Sequence, residues 1–119
     1  MPKINSTQFG SIIIDDQKYG QVLIVSDHVE ERDEAKLEEV FGTSHRIGDF
    51  EIKMLLSNQP EIIVIGTGQS GVMRVTEDDK QALFQNCQLI IQQTPQAIKT
   101  FNKLITEGKR VNGLFHTTC

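Results

Sequence analysis

Residues 60–71 read PEIIVIGTGQSG. Pro60 and Glu61 deliver the chain into four successive branched aliphatic residues, and the run ends in a loop with glycines at 66, 68 and 71. A short apolar run bounded by turn residues predicts a buried strand, Ile62 to Ile65. In the loop behind it, the missing side chains let backbone amides come close to an anion or a neighbouring strand, and positive φ is permitted.

Working outward towards the carboxyl end, helix and strand signals alternate. Thr76 with Asp79 makes a capping-box-like start, and Glu77 and Asp78 favour a helix amino terminus, so a helix of about ten residues is predicted with Leu83, Phe84 and Cys87 facing inward. Gln88 to Ile91 is the next strand. Thr94 is the predicted cap of a helix with Pro95 at its first position and Ala97, Ile98, Phe101, Leu104 and Ile105 at helical spacing, ended by Gly108. Arg110 to Phe115 is the last strand. Strand, helix, strand, helix, strand calls for right-handed crossovers and a parallel sheet segment.

Towards the amino end the signals are shorter. Asp49 is a candidate cap for a helix to about Ser57, with Phe50, Met54, Leu55 and Leu56 as its apolar stripe. The segment SDHVEERDEAKLEEVFG holds a short helix, Ala35 to Phe41, stopped by Gly42; its polarity predicts solvated surface. Phe9 to Ile14 and Gln21 to Val25 read as β-runs separated by the polar DDQKYG, a hairpin or a slightly longer β connection. The expectation is one α/β domain over residues 1–119, with amino-terminal β-structure beside or across the parallel segment.

Composition narrows the function classes. A chain of 119 residues is one domain's worth. Sixteen acidic against twelve basic side chains give a net charge of −4, which does not suit a phosphate-backbone binder, so no nucleic-acid partner is expected. No stretch reaches the roughly twenty apolar residues that cross a bilayer, and MPKINSTQFG has no signal or transit pattern; a cytoplasmic protein with no membrane partner is expected. Cys87 and Cys119 make no disulfide framework. Short β edges near residues 9–25 can pair between copies, which leaves a monomer or weak homodimer as the expected state.

Strands ending at Ile65, Ile91 and Phe115, if parallel, open onto one edge, where ligands bind in open α/β sheets. Three segments then converge: the loop Gly66 to Gly71, the turn Gln92 to Pro95, and the tail His116, Thr117, Thr118, Cys119. A shallow pocket is predicted there. The loop matches G-x-G-x-x-G, yet Val72 to Val75 intervene before the cap at Thr76 and the next strand ends in Gln92 and Gln93 rather than in a ribose-binding acid, so no dinucleotide and no other cofactor is expected. Two readings stay open. The loop either lets neighbouring segments pack, or captures an anion through the Gly68 to Gly71 amides and the Thr67 or Ser70 hydroxyl.

The ending FHTTC sets an imidazole and a thiol three residues apart, making His116 and Cys119 the candidate catalytic pair. With His45 they supply three candidate metal ligands and no C-x-x-C pair, too few for a zinc set, so no metal is expected. The alternative is that His116 bonds backbone while the Cys119 carboxylate occupies the loop amides. A third cluster is Gly42 to Arg46, where Ser44, His45 and Arg46 join Gly66, Thr67, Gly68, Ser70 and Gly71 as candidate ligand-binding residues. Arg46 can pair either an anionic ligand or the nearby glutamates.

Together, GTSHR at 42–46, VIGTGQSG at 64–71, TPQAIKTFNKL at 94–104 and GLFHTTC at 113–119 resemble the adipogenesis-associated Mth-domain protein family, which includes the mitochondrial assembly factor for respiratory complex I. The resemblance spans essentially the whole chain. It implies a three-layer α/β domain with a mixed central sheet and extra β-structure, and it brings no catalytic residue set. Two functions are carried forward: a non-enzymatic binding or assembly-type domain holding a partner protein or small anion, and a small hydrolase or transferase using Cys119 or His116 with loop amides as oxyanion donors.

Overall fold

Strand β6 (Ile62–Thr67) is buried at all six positions, the signature of a strand covered on both faces. The computed structural model describes residues 2–119, and β6 lies inside a five-stranded sheet with β4 (Val22–Val25), β5 (His28–Glu31), β7 (Gln88–Gln92) and β8 (Val111–His116). The order is β5-β4-β8-β6-β7. β6 runs parallel to β7 and β8, while β4 is antiparallel to β8. The sheet is therefore mixed, with a parallel βαβαβ carboxyl-terminal part.

Successive side chains of a strand point to opposite faces, and β6 divides the core accordingly. Ile62 and Val64 join one cluster with Ala97, Ile98 and Phe101 of helix α4 (Thr94–Thr106) and with Ile4, Ile12 and Ile14. Those three isoleucines belong to a separate antiparallel sheet of β1 (Ile4–Gln8), β2 (Ser11–Ile14) and β3 (Gln17–Tyr19). Ile63 and Ile65 face the other way, onto Ile52 and Leu55 of α2 (Asp49–Leu56) and Leu83 of α3 (Glu77–Leu83). Helix α1 (Glu34–Phe41) follows β5 and ends at Gly42, whose left-handed φ of 74° closes the helix. The result is three layers around the central sheet. None of the helices described is long and apolar enough to cross a membrane.

The amino-terminal half departs from its sequence reading. Phe9 and Gly10 form the turn of the β1–β2 hairpin rather than starting a strand, and DDQKYG contains a strand of its own. Asp15 and Asp16 take φ of 50° and 66°, the positive pair a two-residue hairpin turn demands, and aspartate tolerates it. The run read as solvated surface holds edge strand β5 and a fully buried arginine, Arg32, 4% exposed. Helix α2 is capped at Gly48 rather than Asp49, because the Glu51 carboxylate accepts from the Gly48 amide. Its buried residues are Glu51, Ile52 and Leu55, so the inward stripe is displaced from Phe50, Met54 and Leu56. Phe84 lies past the last turn of α3 and is 67% exposed instead of inward. Gln93 takes the cap position of α4, with Thr94 as the first helical residue.

Candidate functional site

At the carboxyl ends of the parallel strands, Thr67 of β6 sits beside His116 of β8, and Gly66 beside Gln92 of β7. The three segments predicted to converge are spatial neighbours. Contact is closest at Gly68, whose φ is +109° and where a Cβ would lie 2.4 Å from the Cys119 carbonyl carbon and 2.9 Å from the His116 ring. At Gly66 a Cβ would meet Thr94 Oγ1 at 2.8 Å. Glycine is required at both places by the approach of other segments.

The donors of the loop are engaged within the chain. Gly68 N donates to Thr94 Oγ1 (2.9 Å), and the same hydroxyl donates to the His116 carbonyl oxygen. Gln69 N donates to the Thr118 oxygen (2.8 Å), while Ser70 N and Val72 N both donate to the backbone oxygen of Cys119 (2.9 and 3.0 Å). Two nearby amides, of Ser70 and Val72, converge on one oxygen much as a nest of backbone N–H groups holds an anion, and here the oxygen comes from the chain's own tail. The Thr67 hydroxyl donates to the Gln92 carbonyl (3.1 Å). Ser70 and Gly71 are exposed. On the far side, the Gln69 amide group donates to Thr7 Oγ1 and the carbonyls of Gln8 and Thr117, and Gly10 N donates to Thr117 O. The tail thereby joins the loop to the β1–β2 hairpin.

His116 is fully buried. Its Nδ1 meets Gln21 Oε1 and its Nε2 meets Thr118 Oγ1 at 3.0 Å. Gln21 Oε1 can only accept, so Nδ1 carries the proton and Nε2 accepts from the threonine. Burial first, then the Arg32 guanidinium and His45, push the His116 pKa down to about 4; a cation there would be desolvated and repelled. The ring is neutral near pH 7. Neither ring nitrogen is directed at Cys119, and the ring bonds side chains rather than backbone.

Behind His116 lies a buried ion pair. Arg32 Nε and Nη2 hold the two Glu51 carboxylate oxygens at 2.7 and 2.9 Å, both side chains being 0% exposed. Arg32 Nη1 donates to Gln21 Oε1 (2.7 Å) and the Ser44 carbonyl (3.0 Å), and Nη2 also donates to the Arg46 carbonyl (2.7 Å). All five guanidinium N–H donors of Arg32 have acceptors, which is what a buried arginine needs. The chain Glu51, Arg32, Gln21, His116, Thr118 links α2 to the tail across β4. Gln21, Arg32 and Glu51 were absent from the candidates read in the sequence, and Thr94 and Thr118 entered only as members of the converging turn and tail. One signal was there: Arg32 is the single cation between Asp27 and Glu34.

The segment at 43–46 joins this network. Ser44 Oγ accepts from Gln21 Nε2 (3.2 Å), and the His45 ring meets His116 edge-on, centroids 4.8 Å apart. Arg46 behaves differently. Its guanidinium lies 4.8 Å over the Phe41 ring, and its Nε is buried with no hydrogen-bond partner among the described residues. None of the ion pairs among the described residues includes it. A cleft of about 370 Å³ opens beside it, lined by Phe41, Arg46, Gly48, Phe50, Thr76 and Asp78 among others.

Comparison with known proteins gives a family and a fold. The model of a family described as "Protein of unknown function (DUF498/DUF598)" matches residues 4–116. A conserved hypothetical protein of Pyrococcus horikoshii is 27% identical with a TM-score of 0.85, covering 98% of this chain and 99% of its own. The protein MT938 is 26% identical with a TM-score of 0.81, both chains being covered completely. A Mth938-like domain from Bordetella pertussis has a TM-score of 0.59 at 17% identity, covering 97% of this chain and 85% of its own.

Proposed function

We infer, from the premise that the chain belongs to the DUF498/DUF598 family of proteins of unknown function and has a Mth938-like fold, that it is a non-enzymatic binding or assembly-type domain. It holds an anionic group of a partner protein or of a small ligand and does not transform it. The resemblance to the family of the complex I assembly factor supports the assembly-type form.

The observation that carries this reading is Arg46. Around the strand ends the polar groups answer one another: the loop amides hold the Thr118 and Cys119 oxygens, and His116 is held neutral between Gln21 and Thr118. Arg46 retains a buried Nε with no acceptor, next to an open cleft. A carboxylate or phosphate group entering the cleft meets the half-buried Arg46 guanidinium, which among the described residues forms no ion pair with Asp49, Asp78 or Asp79 of the lining, and an arginine resting on an aromatic ring is held in place to receive it. Of the loop residues, Gly68 gives its amide to Thr94 Oγ1, Gly71 to the Gly68 carbonyl and Ser70 to the Cys119 oxygen, and the Thr67 hydroxyl is held by the Gln92 carbonyl, so an outside anion reaches the Ser70 amide only by displacing Cys119.

Thermal-shift titration with phosphate, sulfate and citrate tests the reading, because a ligand that binds only the folded state raises Tm. Stabilisation is expected in the parent protein and its loss in Arg46→Gln. Equal stabilisation of both proteins would defeat the Arg46 assignment. Ester or phosphate-ester turnover abolished by Cys119→Ala or His116→Ala would replace the binding reading with the hydrolase or transferase one.

A further inference from the structure

The two edges of the central sheet are built differently. β5 reads HVEE and carries Glu30 and Glu31, charges of the kind that block edge-to-edge pairing. β7 reads QLIIQ, with no charge and no proline. Leu89, Ile90 and Ile91 are only half-buried there, whereas β4, β6 and β8 are buried at every position. In a chain of net charge −4, the neutral edge is the place where two copies approach without desolvating a carboxylate.

The polar groups on that edge have a definite pattern. Gln88 N donates to Glu61 O of the β6 side (2.9 Å), and β7 pairs with β6 from Gln88 to Gln92. Alternation along the strand therefore turns the N–H and C=O groups of Gln88, Ile90 and Gln92 towards β6 and those of Leu89 and Ile91 away from it. Among the described residues the outward groups have no partner in the chain.

QLIIQ is also symmetric by residue class about Ile90. We propose that β7 pairs antiparallel with β7 of a second copy about a two-fold axis through Ile90, fusing two five-stranded sheets into one of ten. In that register Leu89 faces Ile91 of the other copy twice. These are the residues whose backbone groups point outward, so each facing pair exchanges two hydrogen bonds, four in all. Ile90 faces Ile90, and Gln88 faces Gln92 with its amide in reach of the opposite amide. A single self-complementary patch is what two-fold association requires. A strand pair of this length buries a small interface, which sets the dimer in the weak, transient class.

The register dictates the test. Sedimentation velocity over a concentration series reads the dissociation constant for the parent, for Gln88→Lys/Gln92→Lys and for Gln88→Lys/Gln92→Glu, with circular dichroism and Tm confirming that each is folded. The Lys/Lys protein sets like charges opposite each other and is expected to dissociate at least about tenfold more readily. The Lys/Glu protein sets opposite charges across the axis and is expected to associate as tightly as the parent or more so. Hydrogen exchange should slow at the Leu89 and Ile91 amides as concentration rises. A parent that stays monomeric throughout, a dimer indifferent to both double variants, or one weakened equally by both overturns the proposal. So does protection of Leu89 and Ile91 that arises only when an extended peptide from another protein is added.

Discussion

Replacing Glu51 by glutamine keeps the shape of the side chain and removes the charge that Arg32 faces. The two groups are bidentate and fully buried, and the Arg32 guanidinium cannot deprotonate to escape. In the variant one acceptor becomes an NH₂ group pointing at an N–H donor, and the Gly48 amide at the start of α2 is in line to lose its carboxylate partner too. Removing one member of a buried ion pair typically destabilises by 3–5 kcal/mol, on the order of half the stability of a domain this size. For a chain of this length about 1 kcal/mol moves Tm by about 4 °C, so a fall of roughly 12–20 °C is expected. The assay is urea and thermal denaturation at pH 7, run beside a cycle of Arg32→Met, Glu51→Leu and the double Arg32→Met/Glu51→Leu. The double variant should be less destabilised than the sum of the singles by at least about 2 kcal/mol. A Glu51→Gln protein within about 1 kcal/mol of the parent, or singles that simply add, would refute the network as drawn.

Three further outcomes follow from the same rim. Because the His116 pKa is depressed to about 4, the unfolded chain binds the extra proton first; stability is complete above pH 6.5 and falls as pH drops towards 4, with a slope approaching about 1.4 kcal/mol per pH unit. Urea midpoints from pH 7 to pH 4.5 should show this slope in the parent and a shallower one in His116→Gln. Thr94→Val removes the hydroxyl between Gly68 N and His116 O and should lower stability by about 1–3 kcal/mol, with faster hydrogen exchange at Gly68 as the local readout. Gly68→Ala forces a Cβ into the tail at a φ that suits glycine and should destabilise by more than about 1 kcal/mol. In a Cys87→Ser background its Cys119 thiol should react faster with a disulfide reagent; an unchanged rate would mean the tail does not rest on that glycine.

The parts of the fold readable in the sequence are those whose signals are local. β6 announces itself by four branched aliphatics in a row, α3 by Thr76 and Asp79 capping each other, and α4 by the spacing of Ala97, Ile98 and Phe101. β3 and β5, QKY and HVEE, are polar edge strands whose pairing comes from neighbours rather than from their own residues. Arg32 was hidden for the same reason: its carboxylate is 19 positions away on another element, and a cation among glutamates looks solvated. Convergence of the glycine loop with the tail was legible because parallel strands share an end. The network behind those segments was not, since Gln21, Arg32 and Glu51 reach His116 through side-chain hydrogen bonds between positions far apart in the chain.

The position of β8 has a consequence for how the protein is made. Eighth of the strands in chain order, it lies between β4 and β6, and these two make no ladder with each other. During translation the β4–β5 hairpin and the β6–β7 pair therefore emerge as separate fragments, each with a bare edge, until residues 111–116 leave the ribosome and bridge them. Such late, non-local closure makes for slow folding and leaves the nascent chain open to pairing with the wrong strand. A ribosome stalled before Val111 should present a protease-sensitive chain, and one stalled well beyond His116 a resistant one.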